Sequence, residues 1–103
     1  MTTFSSTEQT IAAGNAAADE EERIAHWLRQ YIGNLLAISE EKIGLDVAFH
    51  RIGLDSSAAV AMTGDLGDWL GCEIDASAAY EHPTILKLSH EVSKERRKAG
   101  NGT

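Results

Sequence analysis

One stretch of the chain, residues 24–36, places its apolar side chains at the spacing of an α-helix, and this pattern constrains the fold most strongly. The apolar positions form one broad stripe: Ile24, Trp27, Leu28, Tyr31, Ile32, Leu35 and Leu36. Asp19, followed three residues later by Glu22, resembles a capping box that would start the helix. The stripe predicts a helix that buries one face against other helices. The single proline of the chain agrees with a mainly helical protein.

A long connection, residues 39–55, follows this helix without helical periodicity. A loop of this length is unusual in a small domain unless its own side chains pack on the core. Six apolar residues of the loop are expected to pack in this way: Ile43, Leu45, Val47, Phe49, Ile52 and Leu54.

A second helix is predicted from Ser56 to about residue 70, with Asp55 or Ser56 as its cap and Gly71 as its stop. Its predicted buried face consists of Val60, Thr63, Leu66 and Leu70, with Ala59, Met62 and Trp69 beside it. Gly64 and Gly67 each weaken the helix by roughly 1 kcal/mol relative to alanine. They are tolerable where another backbone or a partner approaches closely.

The last third of the chain predicts a short helical turn and a final helix. The turn covers residues 77–81, with Asp75 available as cap, and ends before Pro83. Thr84 caps the final helix, whose predicted buried residues are Ile85, Leu88 and Val92. The sequence therefore predicts an all-α four-helix bundle, with three main helices, one short helix and a long loop after the first.

The expected domain covers residues 18–98, with a flexible leader at 1–17 and a flexible tail at 99–103. No secretory signal or membrane-length apolar run is recognisable. Cys72 is the single cysteine, which excludes an internal disulfide and favours a reducing compartment. We therefore expect a cytoplasmic protein, and Met1 with the short length favours a free-standing monomer.

The net charge of −7 argues against nucleic acid as a partner, because no basic stripe is present. The acidic residues concentrate between Glu40 and Glu81, which suits partners with basic surfaces. The same charge also serves solubility alone, and composition does not decide between the two interpretations.

Ser56 is the residue that most invites a chemical role. A serine at a helix start lies beside unpaired N–H groups and the positive end of the helix dipole, which suits a bound or covalent phosphate. A hydrolytic serine would need a base and an oxyanion hole, and the G-x-S-x-G pattern is absent. The histidines stand alone and Cys72 has no second thiol, so we expect neither a catalytic nor a metal site.

The segment from Asp46 to Ile85, "DVAFHRIGLDSSAAVAMTGDLGDWLGCEIDASAAYEHPTI", closely resembles acyl carrier proteins, particularly those of polyketide-synthase type. The resemblance covers roughly residues 22–95 and includes Phe49 in the loop and "GLDS" at residues 53–56. It continues through the second helix to Ile74, and ends with Tyr80 and "PT" before the last helix. The family is a four-helix bundle with a long first loop, in agreement with the helical pattern.

The resemblance implies that Ser56 receives 4'-phosphopantetheine from coenzyme A, through a separate magnesium-dependent phosphopantetheinyl transferase. Acyl groups are then carried as thioesters on this arm in polyketide or specialised lipid and fatty acid biosynthesis. The chain itself would be a non-catalytic carrier. Ser57 stands where the family usually has an apolar residue, and it is not the expected attachment site.

The resemblance also implies a partner-binding surface around the second helix. Its expected residues are Leu54, Asp55, Ser57, Val60, Ala61, Asp65 and Asp68. Ala61 stands where many carriers have glutamate, so we expect docking to depend more on apolar contact. The expected partners are the transferase, an acyl-loading enzyme, for which an acyl-adenylate ligase is one candidate, and a ketosynthase or other acyl-processing enzyme.

Two alternatives remain at this point. An aryl or peptidyl carrier of nonribosomal peptide synthesis shares the fold and the arm. Peptidyl carriers usually have two glycines before the serine, whereas this chain has Leu54 and Asp55. A helical interaction module without a cofactor is the remaining alternative.

Overall fold

The computed structural model describes residues 16–101, and the side chains of residues 19–98. Five helices follow one another: α1 (Ala16–Leu36), α2 (Phe49–Ile52), α3 (Ser56–Leu70), α4 (Ala78–Glu81) and α5 (Ile85–Asn101). Between residues 16 and 101 the extended backbone is limited to one isolated bridge, Ala48 with Thr84. The predicted all-α bundle with three long helices is confirmed. The predicted long loop holds a 3-10 turn, Glu40–Lys42, and the single turn α2.

The ends of the bundle extend beyond the predicted domain. Helix α1 begins at Ala16, so Asp19 lies within its first turn and the predicted start at Asp19 is wrong. Helix α5 continues to Asn101. The rest of the expected flexible leader and tail, residues 1–15 and 102–103, lies outside the described residues.

One core joins all five helices and the loop. Its buried apolar residues are Ile24, Leu28, Ile32, Ile43, Phe49, Leu54, Met62, Leu66, Ala79, Ile85, Leu88 and Val92. The α1 stripe and the α5 face are thus confirmed, except that Leu35, near the end of α1, is 50% exposed. Burial of these side chains is the main source of stability for such a bundle.

The loop after α1 is fastened at both ends. Arg29 of α1 donates from Nε to the carbonyl oxygen of Ile43 at 3.2 Å, and from Nη2 to that of Glu40 at 3.1 Å. Further along, the Phe49 N–H donates to the carbonyl oxygen of Pro83 at 2.8 Å. These bonds hold the loop against α1 and against the start of α5, so α3 begins from a fixed position.

The loop side chains pack only in part as predicted. Ile43, Phe49 and Leu54 are buried, and Ile52 packs against the core. Leu45 and Val47 are 37% and 38% exposed, so the prediction that they pack on the core is wrong. The chain turns at residues 45–46, and this turn leaves both side chains facing outward.

Helix α3 has the predicted bounds but a rotated buried face. Met62, Thr63, Leu66 and Gly67 are its buried residues. Val60 and Trp69 are 49% and 42% exposed, and Leu70 is half-buried, which corrects the predicted face. The rotation follows from Gly67, because the chain after the helix folds back across this residue.

Two glycines of α3 have opposite surroundings. A Cβ atom on Gly67 would lie 2.6 Å from the carbonyl oxygen of Cys72, whereas one on Gly64 would meet nothing within 4 Å. The predicted close approach of another backbone therefore occurs at Gly67 alone. The predicted stop is confirmed, since Gly71 has φ 72° in the left-handed region. Cys72, which follows, is exposed.

The ends of α4 and α5 are capped as predicted. Asp75 Oδ1 accepts the N–H of Ser77 at 2.9 Å before α4. Thr84 Oγ1 accepts the N–H of Lys87 at 3.1 Å at the start of α5. Among the described residues, no helix is both long enough and apolar enough to span a membrane.

Candidate functional site

The start of α3 is built by the residues just before it. Gly53 has φ 111° in the left-handed region and ends α2. Leu54 is 3% exposed, and its N–H donates to the carbonyl oxygen of Phe49 at 3.0 Å. Leu54, assigned above to the partner surface, therefore lies in the core and anchors the residues that follow.

Asp55 is the N-cap of α3, which decides between the two candidates. Its backbone is extended, and its Oδ1 accepts the N–H of Ala58 at 2.9 Å. Its backbone carbonyl accepts the N–H of Ala59 at 2.9 Å. Ser56 is consequently the first helical residue and is not needed as a cap.

Ser56 presents a free hydroxyl at this helix start. The residue is exposed, and its hydroxyl makes no hydrogen bond within the described part of the chain. The N–H groups of Ser56 and Ser57 belong to the first turn, where they have no intrahelical acceptor and add to the positive end of the helix dipole. The nearest carboxylate in sequence, on Asp55, is occupied by the N–H of Ala58.

This arrangement fits a phosphodiester on Ser56 and does not provide nucleophilic activation. No histidine within the described residues bonds to the Ser56 hydroxyl, so the base that a hydrolytic serine needs is not in place. No group of three His, Cys, Asp or Glu side chains able to hold a metal ion occurs in the same part of the chain. A single transferable hydroxyl remains as the chemical feature of this helix start.

The exposed side of α3 continues from Ser56 to the other end of the helix. We call it the α3 stripe; its members are exposed, lie three or four residues apart, and are Ser56, Ser57, Val60, Ala61, Gly64, Asp65, Asp68 and Trp69. Five of the residues predicted to bind partners lie on this stripe, namely Ser57, Val60, Ala61, Asp65 and Asp68. Asp55 is exposed immediately before it.

Asp65 is not free on this stripe, because it accepts a hydrogen bond from the Tyr31 hydroxyl of α1 at 2.7 Å. Burial, followed by the hydrogen bond and the negative charge of Asp65, raises the pKa of Tyr31 to about 12. The contact ties the middle of α3 to α1.

Aromatic side chains extend this contact into a row that we call the aromatic shelf, made of Tyr31, Trp27 and Trp69. Trp27 stacks on Tyr31 with ring centroids 5.1 Å apart, and on Trp69 with centroids 5.5 Å apart. The guanidinium carbon of Arg23 lies 5.6 Å from the Trp69 ring centroid. Sequence reasoning assigned Trp27 and Tyr31 to the core and missed the shelf. Their spacing of four residues was the available signal, but the pairing with Trp69 joins distant parts of the chain.

Comparison with known proteins places the chain among carriers. A family model described as "Phosphopantetheine attachment site" matches residues 26–92. The acyl carrier protein TtuC of Teredinibacter turnerae is 38% identical over 93 residues, which cover 90% of this chain and 98% of that protein. The match therefore extends over nearly the whole of this relative.

A match to a much larger protein and one to a solved structure add to this. The phenolphthiocerol/phthiocerol polyketide synthase of Mycobacterium tuberculosis contains a polypeptide that is 28% identical over 79 residues, 77% of this chain but only 4% of that polypeptide. The structure of a free-standing peptidyl carrier protein from Acinetobacter baumannii superposes with a TM-score of 0.69 at 26% identity, covering 74% of this chain and 95% of that one.

Proposed function

This chain belongs to the phosphopantetheine-attachment family, and on that premise we propose that Ser56 is the residue that bears its 4'-phosphopantetheine arm. The protein is an acyl carrier protein, which tethers acyl intermediates. The attached group supplies a flexible arm with a terminal thiol on which acyl groups are held as thioesters. One observation carries the assignment to Ser56: its hydroxyl is exposed and free at the capped N-terminus of α3.

The residues around Ser56 suit this attachment. The Ser56 oxygen takes the phosphopantetheinyl group of coenzyme A at phosphorus, loses its proton, and displaces adenosine 3',5'-bisphosphate. Because Asp55 is already bonded to Ala58, its carboxylate is held at the cap, and the unpaired N–H groups of the first turn face the new negative charge. None of the described residues is placed as a base for this step, so we propose that a separate magnesium-dependent transferase provides it.

We propose that partner enzymes dock on the α3 stripe next to the arm. Asp55, Ser57, Val60, Ala61, Asp65 and Asp68 are its contact residues, while Leu54 contributes by anchoring the helix start. Asp65→Lys is expected to slow acylation by a partner, and Ala61→Glu to change partner preference. If neither substitution changed partner kinetics, this stripe would not be the docking surface.

The finer biological assignments follow from this role. We propose a cytoplasmic monomer, without catalytic activity of its own, that serves an acyl-loading enzyme such as an acyl-adenylate ligase and a ketosynthase. The similarity to part of a polyketide synthase supports polyketide biosynthesis as the setting. Specialised lipid or fatty acid assembly stays an alternative setting with the same carrier chemistry.

A peptidyl or aryl carrier is the second candidate, supported by the superposition on a peptidyl carrier protein. Loading the holo protein with free carboxylic acids, aryl acids or amino acids, in the presence of ATP and candidate ligases, separates the possibilities. Preferential transfer of aryl or amino acids would favour this second candidate.

Intact mass spectrometry tests the attachment directly. Incubation with coenzyme A and a broad-specificity transferase is expected to add the mass of one phosphopantetheinyl group. Ser56→Ala should abolish the gain, and Ser57→Ala, an equally exposed neighbour, should retain it. An undiminished gain on Ser56→Ala, or none on the unmodified sequence, would refute the assignment.

A further inference from the structure

The aromatic shelf borders an open hollow that the attachment of the arm does not use. The hollow has a volume of about 580 Å³. It lies beside α1 and the end of α3 and is lined by Asp19, Glu22, Arg23, His26, Trp27, Gln30 and Trp69. Because Ser56 opens α3 and Trp69 nearly closes it, about 20 Å of helix separates the shelf from the arm.

The shelf has the composition of a binding centre. Trp, Tyr and Arg are the residue types most enriched among those that dominate binding energy at protein interfaces. Here Trp27, Tyr31, Trp69 and Arg23 are brought together from two helices. Trp69 remains 42% exposed despite its stacking, so much of its surface is available to a partner. Rigid aromatic side chains also lose little conformational entropy on binding.

The charges around the shelf specify the partner's chemistry. Four exposed carboxylates surround the aromatic residues: Asp19 and Glu22 on α1, and Asp65 and Asp68 on α3. Arg23 is the one permanently charged base among the residues that line the described hollow. Since acids outnumber bases, the shelf favours a partner surface that carries lysine or arginine beside an apolar anchor.

We propose that the aromatic shelf is a docking site for a basic amphipathic helix on an enzyme that processes the arm. This rests on the proposed function, because Trp69 lies on the same exposed side of α3 as Ser57, Ala61 and Asp65. A surface of roughly 800 Å² per partner is large enough to cover both the arm and the shelf. The partner helix places an apolar side chain in the hollow and its basic side chains on the surrounding carboxylates.

A synthetic peptide tests this without an identified enzyme. The probe is an amphipathic peptide of about four helical turns, with lysine and arginine flanking a leucine face. A second peptide with glutamate at every basic position is the control. Titration into ¹⁵N-labelled holo protein, followed by two-dimensional NMR, locates binding; tryptophan fluorescence measures affinity.

The basic peptide is expected to shift resonances of Trp27 and Trp69, and its affinity should fall at least tenfold in Trp69→Ala, as for a central interface residue. Glu22→Lys, an exposed charge reversal on α1, should weaken the basic peptide and strengthen the acidic one. Leu86→Ala, which alters a 45% exposed leucine on α5, should leave both affinities unchanged. Circular dichroism checks that each variant is folded.

Several results would overturn the proposal. These are no binding of the basic peptide, equal binding of both peptides, and shifts confined to the acidic groove between α4 and α5, which Glu81 and Glu95 line. Dimerisation of the holo protein lost in Trp69→Ala would assign the shelf to a second copy instead. Ser56→Ala should bind the peptide normally, so failure of the peptide experiment and failure of arm attachment are separable.

Discussion

Substitution of two glycines in α3 separates backbone crowding from helix propensity. Gly67→Ala and Gly64→Ala make the same chemical change one turn apart in the same helix. The added methyl at residue 67 would lie 2.6 Å from the Cys72 carbonyl oxygen, while at residue 64 it meets no atom within 4 Å. We therefore expect the two substitutions to change the free energy of unfolding in opposite directions.

The magnitudes follow from two effects. Alanine in place of glycine in a helix interior stabilises by about 0.5 to 1 kcal/mol. Gly64→Ala should gain this in full, because residue 64 is exposed and unobstructed. At Gly67 the contact is with backbone, which cannot move aside cheaply, and overpacking costs about 1 to 3 kcal/mol. The net expectation is a loss of about 1 to 2 kcal/mol for Gly67→Ala.

Urea denaturation followed by circular dichroism measures both changes, and thermal unfolding provides a check. For a domain of this size, 1 kcal/mol corresponds to roughly 4 to 8 °C in melting temperature. Gly67→Ala should melt below the unmodified protein and Gly64→Ala above it. A Gly67→Ala variant as stable as Gly64→Ala would refute the close backbone approach at the end of α3.

Three further substitutions test the other contacts. Asp55→Ala should cost about 1 kcal/mol of stability through loss of the α3 cap, while Ser56→Ala should change it by less than about 0.5 kcal/mol; equal losses in urea unfolding would contradict the capping assignment. Arg29→Met should cost about 1 to 3 kcal/mol because it removes both bonds to the loop carbonyls, and Arg29→Lys should not restore it, since one ammonium group cannot replace the guanidinium fork. Absorbance titration should show Tyr31 ionising at about pH 12. Because this pKa is raised by folding, the stabilisation it reflects is complete below about pH 10 and is lost as the pH rises toward 12. Asp65→Ala should lower the pKa of Tyr31 only part of the way, since burial is the larger cause; a full return to the ordinary value would contradict this order of causes.

The fold was predictable where local signals coincide. In α3 the cap, the glycine stop and the apolar residues lie next to one another in sequence, so its bounds were found without the structure. The start of α1 was misplaced because Asp19 and Glu22 satisfy the capping pattern while the chain is already helical from Ala16. Local capping motifs do not report what precedes them.

The site was predictable in its chemistry but not in its surroundings. "GLDS" located Ser56, while the choice between Asp55 and Ser56 as cap required the geometry. The exposure of Val60 and the aromatic shelf depend on how α1 packs against α3, and a one-dimensional pattern does not contain that angle. Leu54 shows the same limit, since its neighbour Asp55 is exposed while Leu54 itself is in the core.

The bridge between Ala48 and Thr84 has a mechanical consequence for a protein that is passed between enzymes. It joins the two ends of the segment that contains α3 and α4, so this segment is a closed lobe with its base pinned to α5. A pull on the arm at Ser56 is then borne at one end by the bridge and at the other by α5. Extraction of an acyl group by a partner should therefore tilt the lobe as a unit and leave α1 and α5 in place. Amide protons at the bridge, such as that of Phe49, would be the first to exchange if the lobe opened.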